Sequence, residues 1–109
     1  MPKYLIQGSY TPETWAKLTR TPEDRAQSVG PIMESVGAHL DALYFAFGDD
    51  DIVAIVDAPD NVTAAAIAVA VTSSGAFKTF KTTVLMSSQE AMEVMKKAAG
   101  VSYRPPGRG

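Results

Sequence analysis

Residues 39–58 read HLDALYFAFGDDDIVAIVDA, two β-forming stretches on either side of Gly48 and three aspartates. Residues 39–47 and 51–58 are each predicted to form a strand, because they are rich in β-branched and aromatic side chains. Gly48, Asp49 and Asp50 lie between them, and glycine and aspartate are typical of tight turns. The stretch therefore predicts a hairpin of two antiparallel strands.

The chain on either side of this hairpin supplies one further strand and two helices. The sequence predicts strands at residues 3–10 and 77–86, helices at residues 12–20, 22–36 and 62–74, and a last helix that ends near residue 99. The order β-α-β-β-α-β with an extra C-terminal helix is the ferredoxin-like α+β arrangement, a four-stranded antiparallel sheet with helices on one face. We predict one domain, residues 1–99, and a flexible C-terminal tail, residues 100–109.

Composition narrows the class of protein. The 109 residues carry a formal net charge of -2, and the basic side chains are scattered, so we expect no nucleic-acid partner. The chain has no cysteine, which excludes disulfides and thiolate catalysis and suits a cytoplasmic protein. The longest apolar run, residues 64–71, is too short to span a bilayer, so we expect no membrane partner.

The two hairpin strands are apolar on both faces. In residues 39–47, alternation places Leu43, Phe45 and Phe47 on one face and Leu40, Ala42 and Tyr44 on the other. A sheet with helices on one side only should alternate apolar with polar residues. An uncovered apolar sheet face usually marks an interface, so we predict a homodimer that packs through the sheet face.

The three consecutive aspartates, Asp49, Asp50 and Asp51, allow three interpretations: a turn, a metal site or a ligand-facing carboxylate. Neighbouring strand residues point to opposite faces, so the three cannot all converge in extended chain. The spacing of a calcium-binding loop is missing. A turn is the interpretation that we favour, and we predict neither a metal site nor a cofactor.

His39 is the only histidine and the one weak catalytic candidate. A lone imidazole can act as a general acid or base near neutral pH, and Asp41 could orient it. The more ordinary interpretation is a partly exposed histidine at the start of a strand, since no nucleophile motif accompanies it.

Polar and aromatic side chains near the first two strands could line a small-molecule site between sheet and helices. The candidate ligand-binding residues are Gln7, Tyr10, Trp15, His39 and Tyr44. Packing in the core or in a dimer interface is the competing explanation for the aromatic members.

Four segments, PKYLIQGSYTPE, PEDRAQSV, YFAFGDDDIVAIVDAPDN and FKTFKTTVLM, together resemble the GYD domain family over about residues 2–98. The family is named for a Gly-Tyr-Asp element after the second strand. At that place this chain has Gly48 and Asp51 but no tyrosine, and Asp50 stands where the family has the tyrosine. The resemblance implies the dimeric α/β-barrel superfamily, in which two ferredoxin-like sheets close into one barrel.

That superfamily includes cofactor-independent monooxygenases, muconolactone isomerases, haem enzymes and small-ligand sensors, and fold alone does not choose among them. We predict a homodimeric small-molecule-binding accessory protein. One alternative is a cofactor-independent enzyme, monooxygenase- or isomerase-like, that acts on a small apolar or aromatic substrate, with His39 and a tyrosine as candidate catalytic groups. The other alternative is a structural assembly protein.

Overall fold

The computed structural model describes residues 1–107. Its strands are β1 (Lys3–Tyr10), β2 (His39–Phe45), β3 (Ile52–Asp57) and β4 (Phe77–Leu85), and its helices are α1 (Pro12–Arg20), α2 (Arg25–Ser35), α3 (Asn61–Ser73) and α4 (Ser88–Ala98). The last two residues of the predicted C-terminal tail, Arg108 and Gly109, lie outside the described residues.

The four strands form one open antiparallel sheet in the order β2-β3-β1-β4. Tyr4 lies opposite Val56 on β3 and Val84 on β4, and Ile6 lies opposite Ala54 and Thr82. Tyr4 and Val56 belong to the buried core with residues of α2 and α3, so this is the face that the helices cover. The predicted ferredoxin-like α+β fold is confirmed.

Each helix begins at a polar capping residue. The side chains of Thr11, Asp60 and Ser87 accept hydrogen bonds from the first turns of α1, α3 and α4. The predicted start of α2 at residue 22 is wrong. Asp24 caps this helix instead, because its carboxylate accepts from the backbone N–H groups of both Ala26 and Gln27.

Strand β2 differs from strict alternation. Leu40 lies opposite Val56 and Leu43 lies opposite Ala54, so the register shifts by one residue around Asp41. This bulge turns Leu40 to the helix-covered face, and the predicted grouping of Leu40 with Ala42 and Tyr44 is wrong. The strand also ends at Phe45, before the predicted Phe47, and Phe47 is an exposed loop residue.

The helices leave the middle of the sheet incompletely covered. Helix α2 packs mainly on β2 and α3 mainly on β4, the two edge strands. Met33 from α2 and Ile67 from α3 are both buried against the sheet. Between them, a cleft opens over the central strands β3 and β1.

Helix α4 continues from β4 and packs on no other helix or strand to a substantial extent. It contains no buried residue. Within residues 1–107, no helix has both the length and the apolar character that crossing a membrane requires.

Candidate functional site

The space between the helices and the centre of the sheet is a cleft of about 510 Å³, which we call the helix–sheet cleft. Its volume is typical of small-molecule sites. Strand residues Ile6, Ala54 and Val56 form its floor, while Val29 of α2 and Val71 of α3 contribute to its walls. The lining is mainly apolar because it consists of surface that a fully packed core would have covered.

Tyr10 lines the cleft at the end of β1 and is only 3% exposed. Its ring packs edge-on against Trp15, with centroids 5.4 Å apart, and tilted against Phe77 at 4.6 Å. Among the described residues, no group hydrogen-bonds to its buried hydroxyl. A buried polar group without a partner is rare and marks a position where a ligand or water atom can bind.

The protonation state of Tyr10 follows from its surroundings. Burial raises the pKa of its hydroxyl above the ordinary phenol value, although the nearby Arg25 guanidinium opposes the shift. The hydroxyl therefore remains protonated at neutral pH and can donate a hydrogen bond into the cleft. Arg25 lies close enough to affect the pKa of Tyr10, and its Nη1 donates to Glu23 Oε2 at 3.1 Å.

Both positively and negatively charged side chains lie at the mouth of the cleft. Glu13, Lys17, Glu23 and Arg25 all contribute to the lining. A hydrogen bond from Ser28, together with the charge of Arg25, lowers the pKa of Glu23, so this carboxyl is ionised at neutral pH. Two acids balance two bases, and the mouth therefore has no strong preference for an anion or a cation.

The three aspartates of the hairpin have three separate partners. Asp51 Oδ2 accepts from the Tyr10 backbone N–H at 2.9 Å and from Trp15 Nε1 at 3.1 Å. Asp50 Oδ2 accepts from Lys81 Nζ at 3.0 Å, and the Asp49 carbonyl accepts from Ser9 Oγ at 3.0 Å. The predicted turn is confirmed, and it also attaches the β2–β3 hairpin to β1, α1 and β4.

Only one of the five predicted ligand-binding residues, Tyr10, lines the helix–sheet cleft. Trp15 packs against Tyr10 and Phe45 outside it. Gln7 lies opposite Val53 and Lys81, on the sheet face away from the helices, and Tyr44 lies on that same face.

His39 lies at the outer edge of the sheet and is mostly exposed. Its Nδ1 is 3.3 Å from Glu34 Oε2, and its Nε2 is 3.9 Å from Asp41 Oδ1. These residues border a shallow surface depression, separate from the helix–sheet cleft. The acidic neighbours can hold the imidazole in place, but the structure does not bring it next to Tyr10.

The sheet face away from the helices, which we call the open face, has an apolar centre. Leu5, Val53 and Ile55 lie there half-buried, and Tyr44 is exposed. Lys3, which donates to Asp41 and Asp57, is at one end of this face.

The residues at the mouth of the cleft, Glu13, Lys17, Glu23 and Arg25, were not among the sequence-predicted candidates. Each lies on α1, on α2 or in the segment between them, and no local motif marks it as functional. They line one cleft because α1, α2 and the segment between them border it together. A periodicity analysis of α1 could have placed Thr14, Lys17 and Leu18 on one face, but it could not have identified what that face contacts.

Comparison with protein families matches residues 4–95 to the model of the GYD domain. No curated protein and no solved structure gives a significant match. The matched segment begins one residue into β1, contains β2, β3 and β4, and ends three residues before the end of α4, with the hairpin of the three aspartates at its centre. This chain therefore belongs to the GYD domain family.

Proposed function

We propose that this chain is a homodimeric, cytoplasmic accessory protein that binds a small, largely apolar molecule in the helix–sheet cleft. The observation that carries the proposal is Tyr10, which lines the cleft and whose buried hydroxyl lacks a hydrogen-bond partner among residues 1–107. A buried hydroxyl left unpaired costs about 1–3 kcal/mol. A ligand that supplies an acceptor removes this cost and gains the contact with the apolar walls.

The ligand class follows from the lining. An apolar body fits between the strand floor and the two helices, and one hydrogen-bond acceptor, such as a carbonyl or ether oxygen, fits the donor at Tyr10. Because the charges of Glu13, Lys17, Glu23 and Arg25 balance, the preferred ligand is neutral. A fully ionised ligand would lose hydration without gaining a matching charge.

Binding is favoured over catalysis because neither catalytic candidate acts as a base in the cleft, and the lowered pKa of Glu23 makes its carboxylate a weak one. His39 is not among the lining residues, and the raised pKa of Tyr10 makes its hydroxyl a poor base at neutral pH. The cleft also weighs against a purely structural protein, since such a protein has no use for an incompletely packed core.

Homodimerisation through the open face is part of the proposal. The apolar centre formed by Leu5, Val53 and Ile55 is half-exposed in one chain, and a second copy would cover it. Light scattering at micromolar concentration is expected to show a two-chain mass.

Binding in the cleft is tested with N-phenyl-1-naphthylamine, an uncharged dye whose fluorescence rises in apolar cavities. Ala70 lines the cleft from an exposed position on α3, so Ala70→Phe fills space without disturbing the core. We expect this variant to bind the dye at least ten times more weakly than the native chain. Ala16→Phe, at an exposed position outside the cleft, is the control and should bind as the native chain does.

Equal dye affinity in the native chain and in Ala70→Phe would place the apolar binding surface elsewhere and contradict the proposal. Tyr10→Phe tests the hydroxyl separately. Since it removes an unpaired polar group, it should leave the ligand-free protein equally stable or up to about 1 kcal/mol more stable in urea unfolding. Clear destabilisation would mean that the hydroxyl already has a partner.

A further inference from the structure

Helix α4 has an apolar stripe that nothing in residues 1–107 covers. The members of the stripe, which recur at helical spacing, are Ala91, Met92, Val94, Met95 and Ala98. The helix contains no buried residue, and its largest apolar side chain, Met95, is 67% exposed. An isolated helix of 11 residues is marginal in water, so α4 gains stability when a second surface covers this stripe.

Helix α4 projects from the sheet and does not fold back onto it. The chain measures 60 × 33 × 23 Å along its principal axes and has a radius of gyration of 17.7 Å. A compact domain of about 100 residues has a radius of gyration near 13 Å. Only Met86 and Ser87 join β4 to α4, so the helix has little freedom to reach another part of its own chain. The stripe is open to a second molecule where it stands.

The charged residues of α4 are divided by sign along its length. Glu90 and Glu93 lie in the first half, and Lys96 and Lys97 lie in the second. The helix dipole favours this division, but it does not account for the stripe. Glu90 and Lys97 are close to two turns apart, so both border the stripe along the same edge. Among the described residues of α4, the one ion pair is Lys96 with Glu93 at 3.9 Å, which leaves Lys97 for a contact outside the chain.

We propose that α4 pairs with the α4 of a second copy of this chain in antiparallel orientation, apolar stripe against apolar stripe. The two-fold axis passes near Val94, so Ala91 packs beside Ala98 of the partner subunit. Glu90 then faces Lys97 of the partner subunit, and the same contact forms again on the other side of the axis. A parallel pair would instead place the two acidic halves together and the two basic halves together, which is unfavourable.

The pairing goes beyond the proposed function, since it depends neither on the ligand nor on the open face. A helix of 11 residues is about 16 Å long and offers only about three turns of contact. A stable interface buries about 800 Å² on each partner, which is more than one such helix provides. The contact between the two α4 helices is therefore weak by itself, and its tests use the protein at high micromolar concentration.

Cysteine cross-linking tests the orientation, since the native chain has no cysteine to interfere. Ala91→Cys and Ala98→Cys are made in separate chains, mixed and oxidised. We expect at least ten times more disulfide-linked two-chain product from the mixture than from either variant alone. Glu93→Cys, on the charged side of α4, replaces Ala91→Cys as the control and should give less than a tenth of the product of the mixture.

Two results of the cross-linking would overturn the pairing. Equal yields from the mixture and from each variant alone would indicate parallel or unspecific contact. A mixture that yields no more product than the Glu93→Cys control would show that the stripes do not meet. A two-chain mass in light scattering together with either result would leave the open-face dimer standing and overturn the α4 pairing alone.

Charge reversal in the same cysteine variants gives an independent measurement. Lys97→Glu places a carboxylate opposite Glu90 at both contacts, so the yield of mixed disulfide should fall at least fivefold. Lys96→Glu makes the same change of charge in the same turn but on the other edge of the stripe, and it should change the yield less than twofold. Adding Glu90→Gln to Lys97→Glu removes the repulsion, keeps a side chain that suits the capping box, and should restore most of the yield. Equal losses in Lys96→Glu and Lys97→Glu, or no loss in either, would contradict the pairing.

Discussion

Asp51 connects three parts of the chain through one carboxylate oxygen. Oδ2 accepts from the backbone of Tyr10 at the end of β1 and from the indole of Trp15 in α1, while Asp51 itself precedes β3. Tyr10 is held by this contact at the position where its ring lines the cleft. The aspartate is therefore a positioning residue for the proposed ligand site, and it does not itself line the cleft.

Asp51→Ala should destabilise the protein by about 1–3 kcal/mol, because the partly buried Tyr10 N–H and Trp15 Nε1–H lose their common acceptor. Asp51→Asn keeps one acceptor oxygen and should therefore lose less stability than Asp51→Ala. Trp15 is the only tryptophan, so its emission in urea unfolding reports both stability and local environment. Asp49→Ala is the control, since the Asp49 side chain is exposed and only its backbone carbonyl binds Ser9. Equal losses of stability in Asp49→Ala and Asp51→Ala would contradict the positioning role of Asp51.

At the scale of elements, strand β1 depends on a glycine for its contact with β4. A Cβ atom at Gly8 would lie 3.0 Å from the Thr79 carbonyl oxygen and 3.2 Å from Phe77 Cδ1. The carbonyl belongs to the paired backbone of β4 and cannot move away without loosening the sheet. Gly8 thus permits the close approach that packs Phe77 beside Tyr10 and Phe80 beside Phe77.

Gly8→Ala should destabilise the protein by about 1–3 kcal/mol through overpacking. Gly48→Ala makes the same chemical change where nothing lies within 4 Å, and it should leave stability within about 0.5 kcal/mol of the native value. Urea unfolding of both variants measures the difference. If Gly8→Ala were as stable as Gly48→Ala, the sheet would have to be looser at this position than the structure shows.

At the scale of the whole molecule, a charged cluster spans three strands of the open face. Lys3 on β1 donates to Asp41 on β2 and to Asp57 on β3, with Lys3 Nζ 2.8 Å from Asp57 Oδ1. The hydrogen bond from Lys3 lowers the pKa of Asp41, and the same bond raises the pKa of Lys3. The cluster lies at one end of the proposed dimer interface, so its charge state also affects association.

Asp41→Asn should lower the melting temperature slightly between about pH 5 and 8, and the difference from the native chain should shrink below about pH 4. The folded pKa of Asp41 is depressed, so its contribution is present above the unfolded value of about 3.9 and is lost as pH falls through the folded value. The raised pKa of Lys3 confines its contribution to pH values below about 10. Melting curves from pH 3 to 8 provide the test, with Asp49→Asn as the control. A difference that stays constant down to pH 3 would show that the ion pair is not its cause.

Local sequence patterns determined the element order, most helix starts and the turn at Gly48. These features depend on neighbouring residues, such as the Ser87 hydroxyl and the Glu90 carboxylate of one capping box, which lie in the same short segment. The start of α2 was mispredicted because the capping side chain is that of Asp24, and only the observed hydrogen bonds show this.

The candidate site, by contrast, was decided by the tertiary structure. The bulge at Asp41 reassigns Leu40 to the helix-covered face, and alternation alone gives no sign of it. The Asp51 contacts join residues some forty positions apart in the chain, and no short sequence pattern records them. The unpaired state of the Tyr10 hydroxyl likewise depends on how the chain packs. The sequence by itself determined which segments form strands and helices, since those choices are local. The cleft and its donor arise from how far apart α2 and α3 lie on the sheet, which is a property of the packed chain.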